Sequence, residues 1–517
     1  MARRTLRLVF AIGIVFLFLL GAYVALAYFT SPPLNISKTS TEAGYPAIAV
    51  SQNGLNIGMV WATQYVGGSA VQGPIYIKTA SDGQTIDHKI TVDSSASAAD
   101  QSKTPDVASD PNTPTNMHVV WTNLSGSTST IYYARCSTTA GTCSTPEVVQ
   151  QVSSGTVADP KVATTKFGSS TIVHVVWKRD VSGNIAVYYS GRQANGTWST
   201  PVAVSNETGE FAYHPAIATS SYGGNTYVHV AWASDNDKAN QDNEFIKYKG
   251  AVVNAGTGVV SSWGSVLQFS HTDVDGRDAG DPDYPSVVAI SSTVMVLWDE
   301  LQGVGVDPPP PDIDGASEPE EYYLFYALSH DSGASFPVKD DVYDSRGAPG
   351  APMAHRSDPG SSASLYYSPH SGRLQVKAAA QLATTTDITG YIDIVWHETN
   401  TTGTPHHDVY HNQFCDGDDC GALYDPNGGW RGQDNETNGQ KLPADPVHDP
   451  SAYSMSPDVA VANGEVYALY MEGDNGGEYD IIPGNLFDVI YKGTVVLTDT
   501  TTAGGGVYLP IIMKNKS

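Results

Sequence analysis

The chemistry open to this chain rests mainly on carboxylates. Asp273, Asp275, Asp278 and Asp281 fall two and three apart around Gly276 in the run HTDVDGRDAGDPD. That spacing can turn several carboxylates onto one hard cation, so calcium is the expected ion. The run lacks the terminal glutamate of an EF-hand loop, and a solvated acidic loop is the plain alternative. Asp416, Asp418 and Asp419, between Cys415 and Cys420, are a second and poorer candidate. A carboxylate pair drawn from Asp299, Glu300 and Glu398 could act as acid and base in glycoside hydrolysis. With 54 acidic residues in the chain, such a pair also arises by chance. His118, His174 and His229 each stand three before a tryptophan and look like a zinc set. Equivalent positions of successive repeats lie too far apart to share one ion, so a structural role is expected for them. The 29 tyrosines and nine tryptophans suit sugar stacking or protein contact, although most fall at repeated strand positions that belong in a core.

The elements that must position these groups repeat along the chain. Thr171–Trp198 holds an apolar strand ending in Trp177, a turn with Gly183, a second strand ending in Tyr188-Tyr189, and a glycine turn closed by Trp198. Each unit opens on a short strand after a proline: Pro46, Pro105, Pro160, Pro215, Pro285 and Pro457. A further unit, near Leu374–Leu382, keeps the apolar run without the proline. The second strand of each ends on Trp61, Trp121, Trp177, Trp232, Trp298, Trp396 or Tyr470. Four short β-branched and aromatic strands per unit, parted by Gly, Asn, Asp and Ser, predict an all-β propeller of four-stranded blades. Seven returns favour seven blades; the long interval between Trp298 and Trp396 leaves six open. Immunoglobulin-like sandwiches need about 100 residues each, more than these units supply.

Residues 1–27 stand apart. Arg3, Arg4 and Arg7 precede an apolar run, and Ala25-Leu26-Ala27 fits a signal-peptidase site, so a secretory signal is expected, with an uncleaved membrane anchor as the alternative. Residues 28–44 read as a linker or first edge strand, 45–499 as the propeller, and 500–517 as a Gly-rich linker and short apolar tail. The expected location is secreted or cell-surface. The formal charge of −27 argues against nucleic acid or anionic lipid as a partner. Membrane contact is expected only through the N-terminal segment or the C-terminal tail, and the protein is expected to be a monomer. Cys136/Cys143 and Cys415/Cys420 are close pairs that suit two local disulfides in an exported chain.

The turn Ser329-His330-Asp331-Ser332-Gly333-Ala334-Ser335-Phe336 resembles the Asp-box, S-x-D-x-G-x-[ST]-[WF], of sialidase-like (BNR repeat) propellers. Partial forms occur at Thr79–Ile86 and Ser190–Trp198. The resemblance spans about Tyr45–Val496 and implies a turn between third and fourth strands, with the aromatic packed into the blade. It gives Ser329, Asp331, Gly333 and Phe336 structural roles. For activity, a sialidase implies three arginines gripping a carboxylate, an acid/base Asp and a Tyr activated by a Glu. Arg179, Arg277, Arg346 and Arg356 fall in suitable loops, and Tyr284 is a candidate tyrosine. The Arg-Ile-Pro motif of that family is absent, and no arginine lies between Ala27 and Arg135. The C-terminal Gly504–Lys514 is similar to the short tails of exported proteins of filamentous green bacteria.

Up-and-down strands place loops 2–3 and 4–1 at one end of such a propeller. The 2–3 loops, expected to start just after each repeated aromatic, present Lys178, Arg179, Asp180, Asp235, Asp299, Glu300, His397, Glu398 and Glu472. The 4–1 loops add Tyr45, Asp159, His214 and Tyr284. Gly303–Glu321 and Ser345–His370 are expected to rise as walls over the same end. The expected function is that of an exported binding protein for carbohydrate or for another extracellular protein. A glycoside hydrolase of sialidase type and a structural envelope component are the alternatives.

Overall fold

The structure is a computed structural model that describes residues 34–35, 42–66, 69–80, 86–93, 104–205, 211–235, 244–269, 283–302, 321–341, 375–382, 388–417, 440–441, 453–463, 465–473 and 487–493. Among the described residues there is no helix, and the strands fall into seven antiparallel sheets. The sheet built from Thr156–Phe167, Ser170–Val181, Asn184–Arg192 and Val202–Ala203 shows the plan, its strands lying side by side in chain order. The sheets are numbered I to VII by their first strands: Glu42–Val50, Asp106–Ser109, Thr156–Phe167, Phe211–Tyr222, Asp283–Ile290, Lys377–Leu382 and Tyr453–Ala462. Sheet II carries an extra two-residue strand, Thr142–Cys143.

Second strands such as Ile172–Trp177 are apolar at every position but His174, because both of their faces are covered. The repeated aromatic is the main filler on one of those faces. Trp61 packs with residues of sheet VII, Trp121 with sheet I, Trp177 with sheet II, Trp232 with sheet III, Trp298 with sheet IV and Trp396 with sheet V. Tyr470 fills the same place between sheets VI and VII. One core therefore lies between each sheet and the one before it, and the series returns on itself at VII and I.

The first strands complete that ring. Each touches the first strand of the next sheet, and Tyr453–Ala462 touches Glu42–Val50. Side chains pin the seams. The residue after the proline accepts a hydrogen bond from a backbone N–H of the next sheet: Ile48 N–H donates to Asp458 at 2.7 Å, and Val162 N–H to Asp106 at 2.7 Å. Ala378 N–H donates to the Ser286 hydroxyl in the same way, at 3.2 Å. Further along the strands the Thr164 hydroxyl donates to Ser109 O at 2.6 Å and the Thr219 hydroxyl to Thr164 O at 2.9 Å. Leu34–Asn35 pairs with Tyr491 and Ile490, so the first described residues supply the outer strand of the last sheet.

Two local features add to this frame. Cys136 and Cys143 form a disulfide across paired strands, and Cys415 is also disulfide-bonded, while Cys420 lies outside the described residues. The turn after Glu321–Ser329 is held by Asp331. Its carboxylate accepts the Ser335 N–H at 2.9 Å, the Ser335 hydroxyl at 2.6 Å and the Ser329 hydroxyl at 2.7 Å. Gly333 has φ +80°, and a Cβ there would stand 1.8 Å from the Tyr248 hydroxyl oxygen. Phe336 meets Tyr248 and Phe269 edge-on at 5.0 Å, so the turn of sheet V closes onto sheet IV.

One expectation is corrected. The 2–3 connection does not start at the aromatic, because the strands run on: Lys178 pairs with Val187, and the ladder continues to Val181 and Asn184. Ser182 and Gly183, with φ of 56° and 83°, make the two-residue turn whose twist matches such a hairpin. Asp235, Asp299, Glu300, His397, Glu398 and Glu472 likewise lie on strands.

Candidate functional site

Five first strands break register at the same point, between Gly44/Ala47, Ala158/Lys161, Tyr213/Ala216, Asp283/Ser286 and Met455/Asp458. Proline has no N–H for the ladder, so the strand bulges, and the residue before it turns into the left-handed region. Tyr45, Asp159, His214, Tyr284 and Ser456 have φ between 43° and 54°. Gln375, before Val376, has φ 48°, so the left-handed conformation recurs here without a proline. Six L-residues in a conformation that costs about 1–3 kcal/mol each recur around the ring of first strands, where they form a collar at one mouth of the axis.

The collar residues engage one another. The His214 imidazole lies on Tyr284 with centroids 4.3 Å apart and planes within 15°, and Tyr213 meets it edge-on at 5.3 Å. His214 Nδ1 is 2.5 Å from Asp283 Oδ1, which also accepts the Tyr284 N–H at 2.8 Å. The Lys178 ammonium stands 3.1 Å from Asp159. Burial raises the Asp159 pKa, but Lys178 and then His214 outweigh it and hold the carboxyl below its ordinary range. The Ser456 hydroxyl donates to Gln375 Oε1 at 3.1 Å. Tyr45 is 37% exposed and the His214 side chain 29%, whereas that of Asp283 is only 7% exposed. A ligand at this mouth would meet aromatic faces backed by a fixed carboxylate.

Two residues further along the first strands lies a charged tier of Asp106, Lys161, Lys377 and Asp458. Burial pushes the Asp458 carboxyl up to about 6, against the opposing pull of Lys377. Burial and then Lys161 bring the Lys377 ammonium down to about 8, and Asp458, Asp106 and Asp159 oppose that fall. These groups come from different sheets and influence one another's charge across the ring of first strands. No position of this tier was singled out by sequence reasoning. The signal was the residue after each proline (Asp106, Lys161, Ser286, Asp458), legible once the units are aligned on their prolines.

The other expected site residues are dispersed. Asp299 is buried in strand register opposite Asp283, and Asp235 is buried opposite Phe211. Asp180 accepts the Gly183 N–H of its own hairpin turn at 2.9 Å. The Arg179 guanidinium covers the Tyr188 ring at 5.0 Å. Glu300, His397, Glu398 and Glu472 have described backbone only. Arg277, Arg346, Arg356 and the run Asp273, Asp275, Asp278 and Asp281 lie outside the described residues, as do Asp418, Asp419, Gly303–Glu320 and Ser345–His370. Among the described residues no group of three metal-ligating side chains converges. His118, His174 and His229 are buried on three different sheets. Each pairs its Nδ1 with a tyrosine hydroxyl (Tyr133, Tyr189, Tyr248) at 2.7–2.8 Å.

No protein-family model matches the chain, and no curated protein matches it in sequence. Among solved structures it is similar to an α-L-arabinofuranosidase of Fusarium graminearum, at 11% identity and TM-score 0.45, over 89% of this chain and 97% of the other. It is also similar to the polysaccharide lyase Uly1, at 11% identity and TM-score 0.42, over 87% of this chain and 90% of the other. A Trypanosoma rangeli sialidase aligns at 10% identity and TM-score 0.36, over 90% of this chain and 58% of that one. Likeness of this degree carries nothing about substrate.

Proposed function

We propose that the chain is an exported, seven-bladed, sialidase-like propeller that binds saccharide at the axial mouth ringed by Tyr45, Asp159, His214, Tyr284, Gln375 and Ser456. The observation that carries this reading is the collar itself. Strained, partly exposed residues, two of them tyrosines, recur at one level of a rigid ring, with a carboxylate fixed behind the stacked His214–Tyr284 pair. Pyranose rings present flat C–H faces and hydroxyl rims, and aromatic faces beside carboxylates and amides complement both. The acidic balance of the chain suits neutral sugars better than polyanions.

Export is supported by the Met1–Ala27 pattern and by the Cys136–Cys143 disulfide, which is at home in an oxidising compartment. The reading of Ser329–Phe336 as an Asp-box is supported by its sequence and by its place between third and fourth strands. Calcium held by Asp273, Asp275, Asp278 and Asp281 belongs to the same proposal, and a calcium-dependent rise in melting temperature that those four Asp→Asn changes abolish is its expected sign.

The test is a glycan array and calorimetry on the purified Tyr28–Ser517 protein. A neutral oligosaccharide should bind, and Tyr284→Ala should weaken it at least about tenfold, as loss of a stacking face implies, with melting temperature nearly kept. A silent array, or binding indifferent to Tyr284→Ala, would sink the reading. Turnover of a fluorogenic sialoside that is lost on Arg277→Ala or Glu398→Ala would put a sialidase-type hydrolase in its place.

A further inference from the structure

We infer that His214 and Asp283 form a general-base dyad that activates water against a neutral acyl ester carried by a saccharide bound at the axial mouth. The inference rests on the saccharide-binding reading and adds an activity to it.

The geometry has the parts a histidine base needs. Asp283 is nearly buried, and its Oδ1 lies 2.5 Å from His214 Nδ1, so the carboxylate fixes the tautomer with the proton on Nδ1. Nε2 has no hydrogen-bond partner among the described residues, on a side chain that is 29% exposed. The ring cannot swing, because Tyr284 lies flat against it and Tyr213 meets it edge-on. The Tyr284 N–H holds Asp283 in turn. This is a base oriented by a third group, and both His214 and Tyr284 sit in strained backbone (φ 45° and 43°), where strain is retained when the surroundings over-determine it. A surface ion pair would need none of this support.

Chemistry narrows the reaction. A neutral imidazole suits removal of a proton from water near neutral pH. Glycosidic cleavage instead calls for a carboxylic acid facing a second carboxylate across the sugar, and Asp159, the other carboxylate of this rim, is held by Lys178. In the proposed step the water oxygen bonds to the acyl carbon while its proton passes to Nε2. The tetrahedral species then expels the sugar alkoxide, which takes the proton back from Nε2. The products are a carboxylic acid and a sugar hydroxyl, and no further reactant is needed. Among the described residues the titratable or charged groups near the imidazole include Asp283 and Tyr284 of sheet V, Tyr213 of its own strand, and Asp159 with Lys178 of sheet III.

The experiment measures acetate release from O-acetylated neutral oligosaccharides between pH 5 and 9, with calorimetry on the same oligosaccharides after deacetylation. The wild-type chain should release acetate with a rising limb on the acid side. His214→Gln should slow release about 100-fold or more while deacetylated sugar still binds. Asp283→Asn should slow it and displace the limb, and Asp283→Glu should restore part of the rate. His330→Gln, at the opposite end of the sheets, should leave it unchanged. Circular dichroism and melting check that each variant folds. No acetate release by the wild type, or release indifferent to both His214→Gln and Asp283→Asn, would overturn the dyad. Binding without turnover would leave the binding reading standing alone. Turnover dependent on His214 without binding of the deacetylated sugar would uphold the dyad and remove the binding reading.

Discussion

At the scale of single residues, the structure separates groups that resemble one another in sequence. His118, His174 and His229 recur three before a tryptophan, yet each is locked to a tyrosine hydroxyl inside its own sheet. Burial brings His174 and His229 down to about 3 and lowers His118 as well. The native state therefore excludes a proton that the unfolded chain takes up near pH 6.5. The stability that His174 and His229 contribute is complete above pH 6.5 and falls as pH drops below it, at about 1.4 kcal/mol per pH unit for each. Urea unfolding between pH 4.5 and 6.5 should show this slope, and His174→Gln should make it shallower. In sheet VI the same position is Asp393, and the partner place across the hairpin holds His411, whose Nε2 lies 2.9 Å from that carboxylate. The polar pair is kept with its members exchanged. His330 shows the opposite sign: bonding to Asp416 raises its pKa. That stabilisation is present below pH 6.5 and is lost as pH rises through the raised value, so His330→Gln should matter at pH 6 and not at pH 9. Gly333→Ala should cost more than about 2 kcal/mol, because φ +80° disfavours a side chain and the new Cβ would strike Tyr248.

At the scale of elements, the first strand does two jobs. Its bulge turns one residue into the mouth, and the residue after the proline reaches the neighbouring sheet. Asp458 accepts the Ile48 N–H where sheet VII meets sheet I, yet burial disfavours its charge. Asp458→Ala should therefore cost about 1–3 kcal/mol, the usual penalty for stranding a buried donor. Asp458→Asn keeps an acceptor and should cost clearly less at pH 7. Chemical denaturation of the two variants side by side decides this, and equal losses would mean that the charge matters more than the hydrogen bond. The strands themselves were legible, since β-branched runs between Gly, Asn and Asp punctuation leave little else. Their ends were not. The Trp177 hairpin runs on to Val181 because Ser182-Gly183 can make a tight turn of the right twist, and the polar residues of its final stretch carry no strand signal of their own.

At the scale of the whole molecule, seven inter-sheet cores share the load, each with one large aromatic. Trp177→Ala should cost about 3–5 kcal/mol, as for other buried aromatics, and Trp232→Ala should behave alike because the two places are equivalent. Leu34–Asn35 joins the beginning of the described chain to its last sheet. Leu34→Pro, which puts a fixed φ and no N–H into that pairing, should lower the melting temperature although the site residues lie elsewhere. A melting temperature within a degree of wild type would show that this pairing contributes nothing.

The sequence by itself determined the repeat, the strand order within each unit, the aromatic at the end of each second strand and the Asp331 turn. These follow from local patterning, which two-residue periodicity, proline and glycine write directly into the chain. Asp159, His214 and Tyr284, expected in the loops before the first strands, lie within those strands instead, at the bulge before each proline. Only the tertiary structure decided that Asp283 stands behind His214 while Asp299 and Asp235 are buried, and that Lys377 meets the charges of Asp458, Asp106 and Lys161 from other sheets. Those relations join residues from different sheets. Nothing in a single unit records what the next one places opposite it, and only the ring of first strands brings them within reach.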